Sequence, residues 1–519
     1  MADILVAMTK GMYMRAVVVV ILVAVLLRFW DFSQRIIIYS DSARDVVVAQ
    51  AAIAEKKIPL TGSFSSSGPF VFGPIYYWYL MAMYFFVPGS LFSPWYGVAF
   101  LSVLTVIFVA ESMRHLTQEQ GGLIAGLLAA LSPAQILRSN SLTQHSLIGV
   151  FAAVAIWSMM LYIKRRTWVW IFILGSALGI AINLHYQALS LVVMGGVIFL
   201  FGRKNVRLIF RDALLYFLGL LWPFIPLFYW DAHYGWANLR NLMDFIFIAQ
   251  YRIFISRRWL SFVREFLPQT FTNIVGGQVM ITVMMMGLGI VVVGYLLHKR
   301  ALKKEVLWLG FILVLQIWVI RYARVTLYEG YLVFVHPLMI LLYGWILFQA
   351  FQLKYWQHLA GIFFVVTIFG AIREDVRILS TANSFAFPQQ IIDQIIVKYP
   401  GMKFLPFDRG YASSEFSYGL SFFLQNKGLI NQSGIPLGIC LFACPPDIGT
   451  EIGRVKLENN YYVVTDLSAT NPATLRPPIW YNVSPTNTLQ EVGFWWEKKP
   501  LTSSFSIPNF LIGTLLGRD

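Results

Sequence analysis

Long apolar runs, separated by short polar stretches, dominate the first 372 residues of the chain. A helix of about 20 mostly apolar residues is long enough to cross a bilayer. Runs of this kind occur at 14–30, 75–92, 96–113, 121–137, 146–163, 167–184, 187–202, 213–230, 278–297, 305–320, 331–350 and 357–372. Because several runs are short or adjoin one another, the pattern predicts a polytopic transmembrane helical bundle of about 11–13 spans.

The basic residues between the runs predict how the bundle is oriented. They form tracts at Lys10 with Arg15, at 164–166, 203–211 and 298–304, and at Lys354. Lys and Arg are enriched in cytoplasmic loops, so we expect the segments 31–74, 231–277 and 373–519 to face outward.

The number of apolar runs and the positions of the basic tracts predict different sides of the membrane for the C-terminus. Twelve spans that start from a cytoplasmic N-terminus would return the chain to the cytoplasm, whereas the last four tracts place residues 373–519 outside. We therefore expect one span between residues 90 and 200 to be misassigned or re-entrant.

Residues 373–519 differ from the rest in being rich in Pro, Asn, Ser and Gly, with no run long enough to span a membrane. The stretches "MKFLPF", "YYVVTDL" and "VGFWW" are typical of strands, and Ser413–Gln425 is typical of a helix. The sequence thus predicts two domains, a membrane module over 1–372 and a small α/β extracytoplasmic domain over 373–519.

Composition agrees with a membrane protein. The chain is 58% hydrophobic and 13% charged, with a mean hydropathy of +0.66, whereas soluble domains carry about 25% charged residues. The net charge of +15 is concentrated in the tracts, so we attribute it to topology and lipid phosphates rather than to nucleic acid. Cys440 and Cys444 fit either a disulfide or two separate thiols.

Polar residues with chemical potential follow the first run directly. The segment 39–80 reads "YSDSARDVVVAQAAIAEKKIPLTGSFSSSGPFVFGPIYYWYL", with Asp41, Arg44 and Asp45 at its start. Asp41 and Arg44 could be a helix N-terminal acid with its i,i+3 partner. Asp41 and Asp45 also lie four residues apart and so share one helix face, where both could line a site.

The order of features in this segment resembles the GT-C glycosyltransferases, in particular their protein O-mannosyltransferase and aminoarabinose-transferase branch. The residues that carry the resemblance are Asp41, Arg44, Pro74, Tyr76, Tyr77 and Trp78, and the general layout is similar over residues 14–350. Two positions depart from the family pattern. Ser42 stands where a second acid is common, with an acid at Asp45 instead, and Phe72-Gly73-Pro74 replaces a Lys-Pro-Pro pattern.

The resemblance implies a membrane-embedded glycosyltransferase that takes its sugar from a polyprenyl-phosphate donor. It implies a GT-C bundle with amphipathic helices in the outer loop 31–74, and an outward-facing active site in the plasma membrane. Asp41 is the expected general base for an acceptor hydroxyl, with Asp45 as the alternative. Arg44 is expected to orient the base or to contact phosphate.

The anionic leaving group calls for cations on the outward side. The candidates are Arg44, Arg252, Arg257 and Arg258, together with Arg321 and Arg324, which lie where related enzymes place a basic residue near the donor phosphate. Arginines on an interfacial helix can instead extend toward lipid headgroups, and the sequence leaves both interpretations open.

Four further residues are candidates for the substrate pocket, namely Tyr76, Tyr77, His185 and Gln187. A single His such as His185 is more often a hydrogen-bonded structural residue than a ligand. No His-Glu-x-x-His or Asp-x-Asp motif occurs, so we predict no cofactor and no obligatory metal ion.

The expected partners are the lipid-linked donor, the bilayer, and a glycan, lipid or protein acceptor. Two other functions compete with this prediction. A lipid or sugar transporter or flippase usually has repeats and broken helices at the bilayer midplane, and no repeat is evident here. An oligosaccharide ligase would be expected to use a large late loop rather than an acid directly after the first span.

Overall fold

The structure of the chain is a computed structural model. It describes residues 10–65, 68–202, 204–252, 258–276, 279–322, 329–353, 356–380, 386–408, 420, 422–431, 434–441, 450–457, 460–466 and 468.

Helices make up nearly all of the membrane module, and the first four comprise the first span, two helices of the segment 31–74, and the helix that follows that segment. They are α1 (Lys10–Phe29), α2 (Phe32–Arg35), α3 (Ser40–Ala54) and α4 (Ile75–Phe86). The long α1 is apolar over residues 16–27, and the chain leaves it through Asp31, which has a left-handed backbone (φ 43°). The helix α3, rich in Ala and Val, is therefore placed directly beyond the outer end of the first span.

The middle of the module is a series of longer helices. They are α5 (Ser93–Leu116), α6 (Glu119–Ala130), α7 (Pro133–Ser139), α8 (Gln144–Arg165), α9 (Trp168–Leu184), α10 (Val197–Phe201), α11 (Val206–Leu221), α12 (Ile225–His233) and α13 (Ala237–Phe247). A 3-10 helix, Tyr186–Gly196, joins α9 to α10, and a short one, Trp222–Phe224, joins α11 to α12.

The later part of the module completes the bundle. It contains α14 (Arg258–Ser261), α15 (Leu267–Val275), α16 (Val279–His298), α17 (Lys304–Tyr322), α18 (His336–Gln352) and α19 (Gln357–Ser380), with short 3-10 turns at Ala249–Arg252 and Glu329–Leu332 and a π turn at Phe262–Phe266.

Fewer helices than the predicted 11–13 are long and apolar enough to cross a bilayer individually. Among the described residues there are five, at Gly11–Phe29, Ser93–Leu116, Gln144–Arg165, Val206–His233 and Lys304–Tyr322. A sixth is formed if α6 and α7, bent by 55° before Pro133, count as one span. The difference arises because several predicted spans form short helices, such as the 12 residues of α4. The bent pair lies within 90–200, where the predicted orientation did not close.

Glycines bring α9 and α11 into close contact. A Cβ atom on Gly175 would lie 2.2 Å from the Tyr216 carbonyl oxygen, and one on Gly179 would lie 2.3 Å from the Leu220 carbonyl oxygen. Gly219 faces back in the same way, 2.4 Å from the carbonyl oxygen of Phe172. Small residues let membrane helices approach at backbone distance, and this contact fixes the outer end of α9, which carries His185.

The C-terminal region has the α/β character that the sequence predicts. The helix α20 (Ala386–Lys398) is followed by β1 (Phe404–Asp408), β2 (Ile435–Leu441), β3 (Thr450–Leu457) and β4 (Asn460–Asp466). The strands form one sheet in the order β1-β2-β4-β3, with β1 parallel to β2 and the other pairs antiparallel. Two predicted strands, "MKFLPF" and "YYVVTDL", coincide with β1 and β4.

The remaining predictions for this region are only partly testable. "VGFWW" and Cys444 lie outside the described residues, as does most of Ser413–Gln425, although residues 422–426 are helical. The helix α19 continues to Ser380 rather than ending at the predicted boundary of 372.

Phe422 and Phe423 contact Trp95 and Phe92 of the membrane module, with ring centroids 6.3 Å and 6.1 Å apart.

Candidate functional site

A cavity of about 770 Å³ opens between the outer loop and the ends of several helices. One part of its wall comes from the start of α3 and from residues 63–65, 70 and 72. The N-terminal end of α8, the C-terminal end of α9, and parts of α13 and α17 form the rest. Of the predicted site residues, it brings together Asp41, Arg44, Asp45, Tyr76, His185 and Gln187. Residues far apart in sequence thus converge on one space, which is large enough for a small ligand.

The start of α3 determines where its charged residues point. Ser42 is fully buried, and its hydroxyl both accepts from the Tyr39 backbone N–H and donates to the Tyr39 carbonyl, each at 2.8 Å. These bonds use polar groups that a helix N-terminus otherwise leaves unsatisfied. The position where related sequences often have a second acid is therefore occupied here by a residue that closes the helix end.

Arg44 joins the two acids of α3. Its Nη1 lies 3.0 Å from an oxygen of Asp41, and its Nε and Nη2 lie 2.8 Å and 3.1 Å from the two oxygens of Asp45. The side chain of Asp45 is 2% exposed, whereas that of Asp41 is 66% exposed. The bidentate partner of Arg44 is therefore the buried acid, and the second acid presents a largely open carboxylate at the cavity wall.

Tyr77 supports the buried acid instead of lining the pocket. Its hydroxyl donates to Asp45 Oδ1 at 2.9 Å, and its ring is fully buried. Burial raises the pKa of Asp45, while the Arg44 charge and the hydrogen bonds from Arg44 and Tyr77 oppose that rise. Asp45 is consequently held in place by three polar contacts, and the neighbouring Tyr76 is the tyrosine that reaches the cavity.

Aromatic rings form the wall around His185. The ring of His185 lies 4.4 Å from His145, 4.5 Å from Phe72 and 5.8 Å from Tyr331, between centroids, and it stacks on the tyrosine. Its Nδ1 accepts the Gln187 backbone N–H at 3.3 Å. An accepting Nδ1 carries no proton, so His185 is neutral with its proton on Nε2.

Two polar atoms in this wall have no hydrogen-bond partner among the described residues, namely His145 Nδ1 and Gln187 Oε1. Buried polar atoms are normally paired, so they are available to a polar ligand. Phe72 and Tyr331 are pocket residues that the sequence did not single out. For Tyr331 no local signal exists, because only the packing of the segment before α18 against α8 and α9 brings it near His185.

Asn183 holds three segments of the pocket together. Its side chain accepts from the Ile75 backbone N–H at 3.1 Å and donates to the Pro223 carbonyl at 2.8 Å, and its own carbonyl accepts from the Gly73 N–H at 2.9 Å. It is fully buried, and a Cβ atom on Gly73 would lie 2.0 Å from its Nδ2. Asn183 therefore positions the pocket without facing it.

The predicted phosphate-binding arginines are only partly described. Arg321 is 3% exposed, and its guanidinium lies over the Trp259 ring at 3.8 Å. It does not line the cavity, although its neighbours Ile320 and Tyr322 do. Backbone, but not side chain, is described for Arg252 and Arg258, and Arg257 and Arg324 lie outside the described residues.

A metal site is not evident in the part of the chain that the structure describes, where no three His, Cys, Asp or Glu side chains converge. Asp41 and Asp45 are the acids that line the cavity among the described residues, and both contact Arg44. The absence of an obligatory metal ion stays a prediction.

The chain is similar to one protein family in sequence and to several solved structures in fold. The dolichyl-phosphate-mannose-protein mannosyltransferase family matches residues 72–230. ArnT from Cupriavidus metallidurans in the apo state has a TM-score of 0.55 at 14% identity, covering 88% of this chain and 99% of that chain. The same protein bound to undecaprenyl phosphate gives a TM-score of 0.53, also at 14% identity, over 88% of this chain and 99% of that one.

The Archaeoglobus fulgidus oligosaccharyltransferase is also similar, with a TM-score of 0.48 and 14% identity over 80% of this chain and 64% of that chain. No curated protein matches the chain by sequence. The identities are low, so the structural likeness concerns the fold, while the family match concerns the outer-loop entry into α4 and the helices up to α12. The chain thus matches the mannosyltransferase family model over residues 72–230 and has a fold similar to that of ArnT.

Proposed function

We propose that the protein transfers a sugar from a polyprenyl-phosphate donor to a hydroxyl group of an extracytoplasmic acceptor, with Asp41 as the general base. The observation that carries this proposal is the exposed carboxylate of Asp41 at the wall of a cavity of about 770 Å³, beside a buried Asp45 that Arg44 and Tyr77 hold in place. Arg44 contacts both acids and so fixes the direction of the open one.

The proposed step is a single displacement at the anomeric carbon. The acceptor oxygen forms a bond to that carbon while the bond from the carbon to the phosphate oxygen breaks. The acceptor proton passes to the Asp41 carboxylate, and the electron pair of the broken bond leaves with the polyprenyl phosphate. A positioned base of this kind contributes about 100- to 10,000-fold to a rate.

Asp41 is the better base of the two acids because its oxygens are accessible. One oxygen contacts Arg44 Nη1, and two thirds of the side chain is open. Asp45 has both oxygens in hydrogen bonds to Arg44, one of which also accepts from Tyr77. We assign Asp45 to positioning, since proton transfer from an acceptor would require it to give up those partners.

The ring cluster of Phe72, His145, His185 and Tyr331 is the proposed binding wall for the sugar. Its rings offer flat faces to the carbon–hydrogen side of a pyranose, and Gln187 Oε1 and His145 Nδ1 offer unpaired polar atoms for hydroxyl groups. Tyr76 completes the wall near the acids. An apolar pocket with a few polar groups is the usual design of a small-molecule site.

The donor phosphate is proposed to lie toward the segment 231–277, where Arg252, Arg257 and Arg258 occur, with Arg324, which follows α17 in the sequence, as a further candidate. Its charge would be offset by one or more of these guanidinium groups. Arg321, stacked on Trp259, is better suited to bracing α14 against the end of α17. On this proposal the cavity and residues 381–519 face the extracytoplasmic side of the plasma membrane.

The test is sugar transfer by the purified, reconstituted protein with a panel of radiolabelled polyprenyl-phosphate sugars and membrane extract as acceptor. We expect Asp41→Asn to lower transfer by about 100-fold or more, with donor binding retained. Glu55→Gln is the matched control, because Glu55 directly follows the same helix and forms a half-exposed ion pair with Lys57 at 3.2 Å.

Three outcomes would contradict parts of the proposal. Full activity in Asp41→Asn would remove Asp41 as the base. Loss confined to Asp45→Asn, in protein that remains folded, would move that role to Asp45. A wild-type protein that transfers no sugar from the panel but moves labelled lipid across vesicle membranes would support a transporter instead.

A further inference from the structure

A second cleft lies at the other end of α8. It has a volume of about 350 Å³ and is lined by Arg166, Thr167, Trp168, Val169, Trp170 and Arg211. The cleft is lined by the short turn between α8 and α9, by the start of α9, and by the first half of α11. No residue of this cleft lines the large cavity.

The length of α8 separates the two sites by the thickness of a membrane. Gln144 and His145 begin the helix and line the large cavity. The helix is 22 residues long and ends at Arg165. At 1.5 Å per residue its length is about 33 Å, and the hydrocarbon core of a bilayer is about 30 Å thick. The second cleft therefore opens at the opposite membrane face, among basic tracts.

The lining of the cleft is cationic, because two of its six residues are arginines and none is acidic. Arg211 is held by Asp212, whose Oδ1 accepts from its Nε at 3.0 Å and from its Nη2 at 2.6 Å. Asp212 is buried and also accepts from Tyr162 at 2.8 Å. Asp212 thus holds one edge of the Arg211 guanidinium, while 40% of the Arg211 side chain stays exposed.

The turn itself presents the second cation. Arg166 ends α8 in a left-handed conformation (φ 53°), and its Nε donates to the Ile163 carbonyl at 2.9 Å. Lys164 and Arg165 precede it, so three basic residues meet at this corner. The guanidinium of Arg165 lies 5.6 Å from the Trp170 ring.

Two indoles place the cleft at the level of lipid headgroups. Trp168 is 49% exposed, and Trp170 is partly exposed beside it. Tryptophan is enriched at membrane–water interfaces, where its ring meets headgroups and its apolar body meets acyl chains. Basic pockets between helices on this side of a membrane suit anionic headgroups.

We propose that this cleft binds the phosphate headgroup of an anionic phospholipid in the leaflet opposite the catalytic cavity. Arg166 and Arg211 contact the phosphate, the Thr167 hydroxyl donates to it, and Trp168 packs along the glycerol and upper acyl chains. The site does not depend on the proposed sugar transfer, since it lies at the far end of α8. A bound lipid would hold the α8–α9 turn against α11.

The test uses native mass spectrometry of the full-length protein in detergent, titrated with phosphatidylglycerol, with phosphatidylcholine, and with inorganic phosphate. We expect phosphatidylglycerol adducts to be retained over phosphatidylcholine. Arg166→Glu should weaken phosphatidylglycerol binding by about tenfold or more, since it removes a cation that contacts the phosphate and adds an anion in its place.

Arg300→Glu is the matched control. Arg300 also has a left-handed backbone (φ 53°) and lies exposed in a turn of another basic tract, away from the cleft. It should change phosphatidylglycerol binding by less than about twofold. Trp168→Ala, which keeps every charge, should also weaken lipid retention and provides a second variant if Arg166→Glu fails to fold.

Each contrary result overturns a stated part of the proposal. Equal retention of phosphatidylcholine would remove the anionic headgroup as the ligand. Saturable binding of inorganic phosphate that displaces the lipid would identify a site for free phosphate instead. Unchanged phosphatidylglycerol adducts in both Arg166→Glu and Trp168→Ala would remove the cleft as a lipid site.

Discussion

Two aspartates four residues apart on α3 have opposite environments. Asp45 is enclosed and bonded by Arg44 and Tyr77, whereas Asp41 is open and has one ion-pair contact to Arg44. An exposed ion pair contributes little to stability, but removal of one partner from a buried pair leaves a charge without compensation. The same chemical change should therefore have different effects at the two positions.

We predict that Asp45→Asn destabilises the folded protein by about 3 kcal/mol, while Asp41→Asn leaves its stability close to that of the wild type. The reason is that Asp45→Asn removes the buried, bidentate partner of Arg44 and leaves the guanidinium paired with the exposed Asp41 carboxylate. Thermal unfolding of both variants in the same detergent would measure the difference. Equal unfolding temperatures would show that Asp45 does not anchor this pair.

Asp375 is an acid without a hydrogen-bond partner among the described residues. It lies beyond the apolar part of α19, is 2% exposed, and neither of its oxygens is bonded. Burial raises its pKa to about 8, a rise that the Arg28 charge opposes and the Glu374 charge supports. The folded protein thus holds the protonated form more tightly than the unfolded chain does.

This raised pKa predicts that stability falls with increasing pH. The contribution of Asp375 is complete below the unfolded pKa of about 4 and is lost as the pH rises through about 8. Between those limits the loss approaches about 1.4 kcal/mol per pH unit. Thermal unfolding from pH 5 to pH 8 should show a steeper decline in the wild type than in Asp375→Asn.

The control for this pH profile is Asp393→Asn, because the Asp393 side chain is 61% exposed. Its profile should follow that of the wild type. If Asp375→Asn declines as steeply as the wild type, Asp375 does not carry the pH dependence.

At the scale of elements, the contact between α9 and α11 depends on the absence of side chains. Gly175 and Gly179 of α9 and Gly219 of α11 each face the backbone of the partner helix at a distance that no Cβ atom can share. The C-terminal end of α9 supplies Asn183 and His185, so this contact also fixes one side of the large cavity.

We predict that Gly179→Ala destabilises the protein by about 1–3 kcal/mol, because the new methyl group forces the two helices apart. Gly310→Ala is the matched control, since a Cβ atom there meets nothing within 4 Å. In the control, Ala should stabilise α17 by up to about 1 kcal/mol through its helix propensity. Thermal unfolding in one detergent compares them, and a neutral Gly179→Ala would contradict the close contact.

At the scale of the whole molecule, the helical residues 422–426 of the C-terminal region and the membrane module share a buried aromatic contact. Phe422 and Trp95 are both fully buried, and their ring centroids lie 6.3 Å apart. Phe423 adds a second contact to Phe92. Burial of a phenylalanine side chain is worth about 1.5–3 kcal/mol, so these residues contribute much of the attachment.

Phe422→Asp is predicted to detach the C-terminal region and to expose it to proteolysis, while residues 10–380 stay folded. A charge buried against Trp95 would be left without a partner. Limited proteolysis should then release fragments from the region after residue 380. Val397→Asp is the control, because Val397 is 82% exposed, and unchanged cleavage in Phe422→Asp would contradict the docking.

Much of the fold could be predicted because its signals are local. Apolar runs identify membrane helices without any tertiary information, and short apolar stretches located β1 and β4. The number of individually spanning helices was harder to predict, because hydropathy does not reveal where Pro133 bends a run or where a run forms only the 12 residues of α4.

The candidate site was predictable only as far as its residues lie together in the sequence. Asp41, Arg44 and Asp45 share one helix, so spacing alone placed them on one face. Tyr77 was expected in the pocket but lies behind Asp45, and the buried Asn183 joins three segments of backbone. A polar residue that lines a pocket and one that supports its neighbours look alike in a sequence, because the role depends on which partner packs nearby.

The sequence by itself determined that this protein is a polytopic membrane protein with an acidic motif after its first span, since hydropathy and residue order are properties of the chain. Only the tertiary structure decided which acid is open and which is buried. It also decided that Phe72, His145, His185 and Tyr331 form one wall, because those contacts join residues up to 186 positions apart (145 to 331). Contacts of that kind depend on how the helices pack, and no local pattern encodes them.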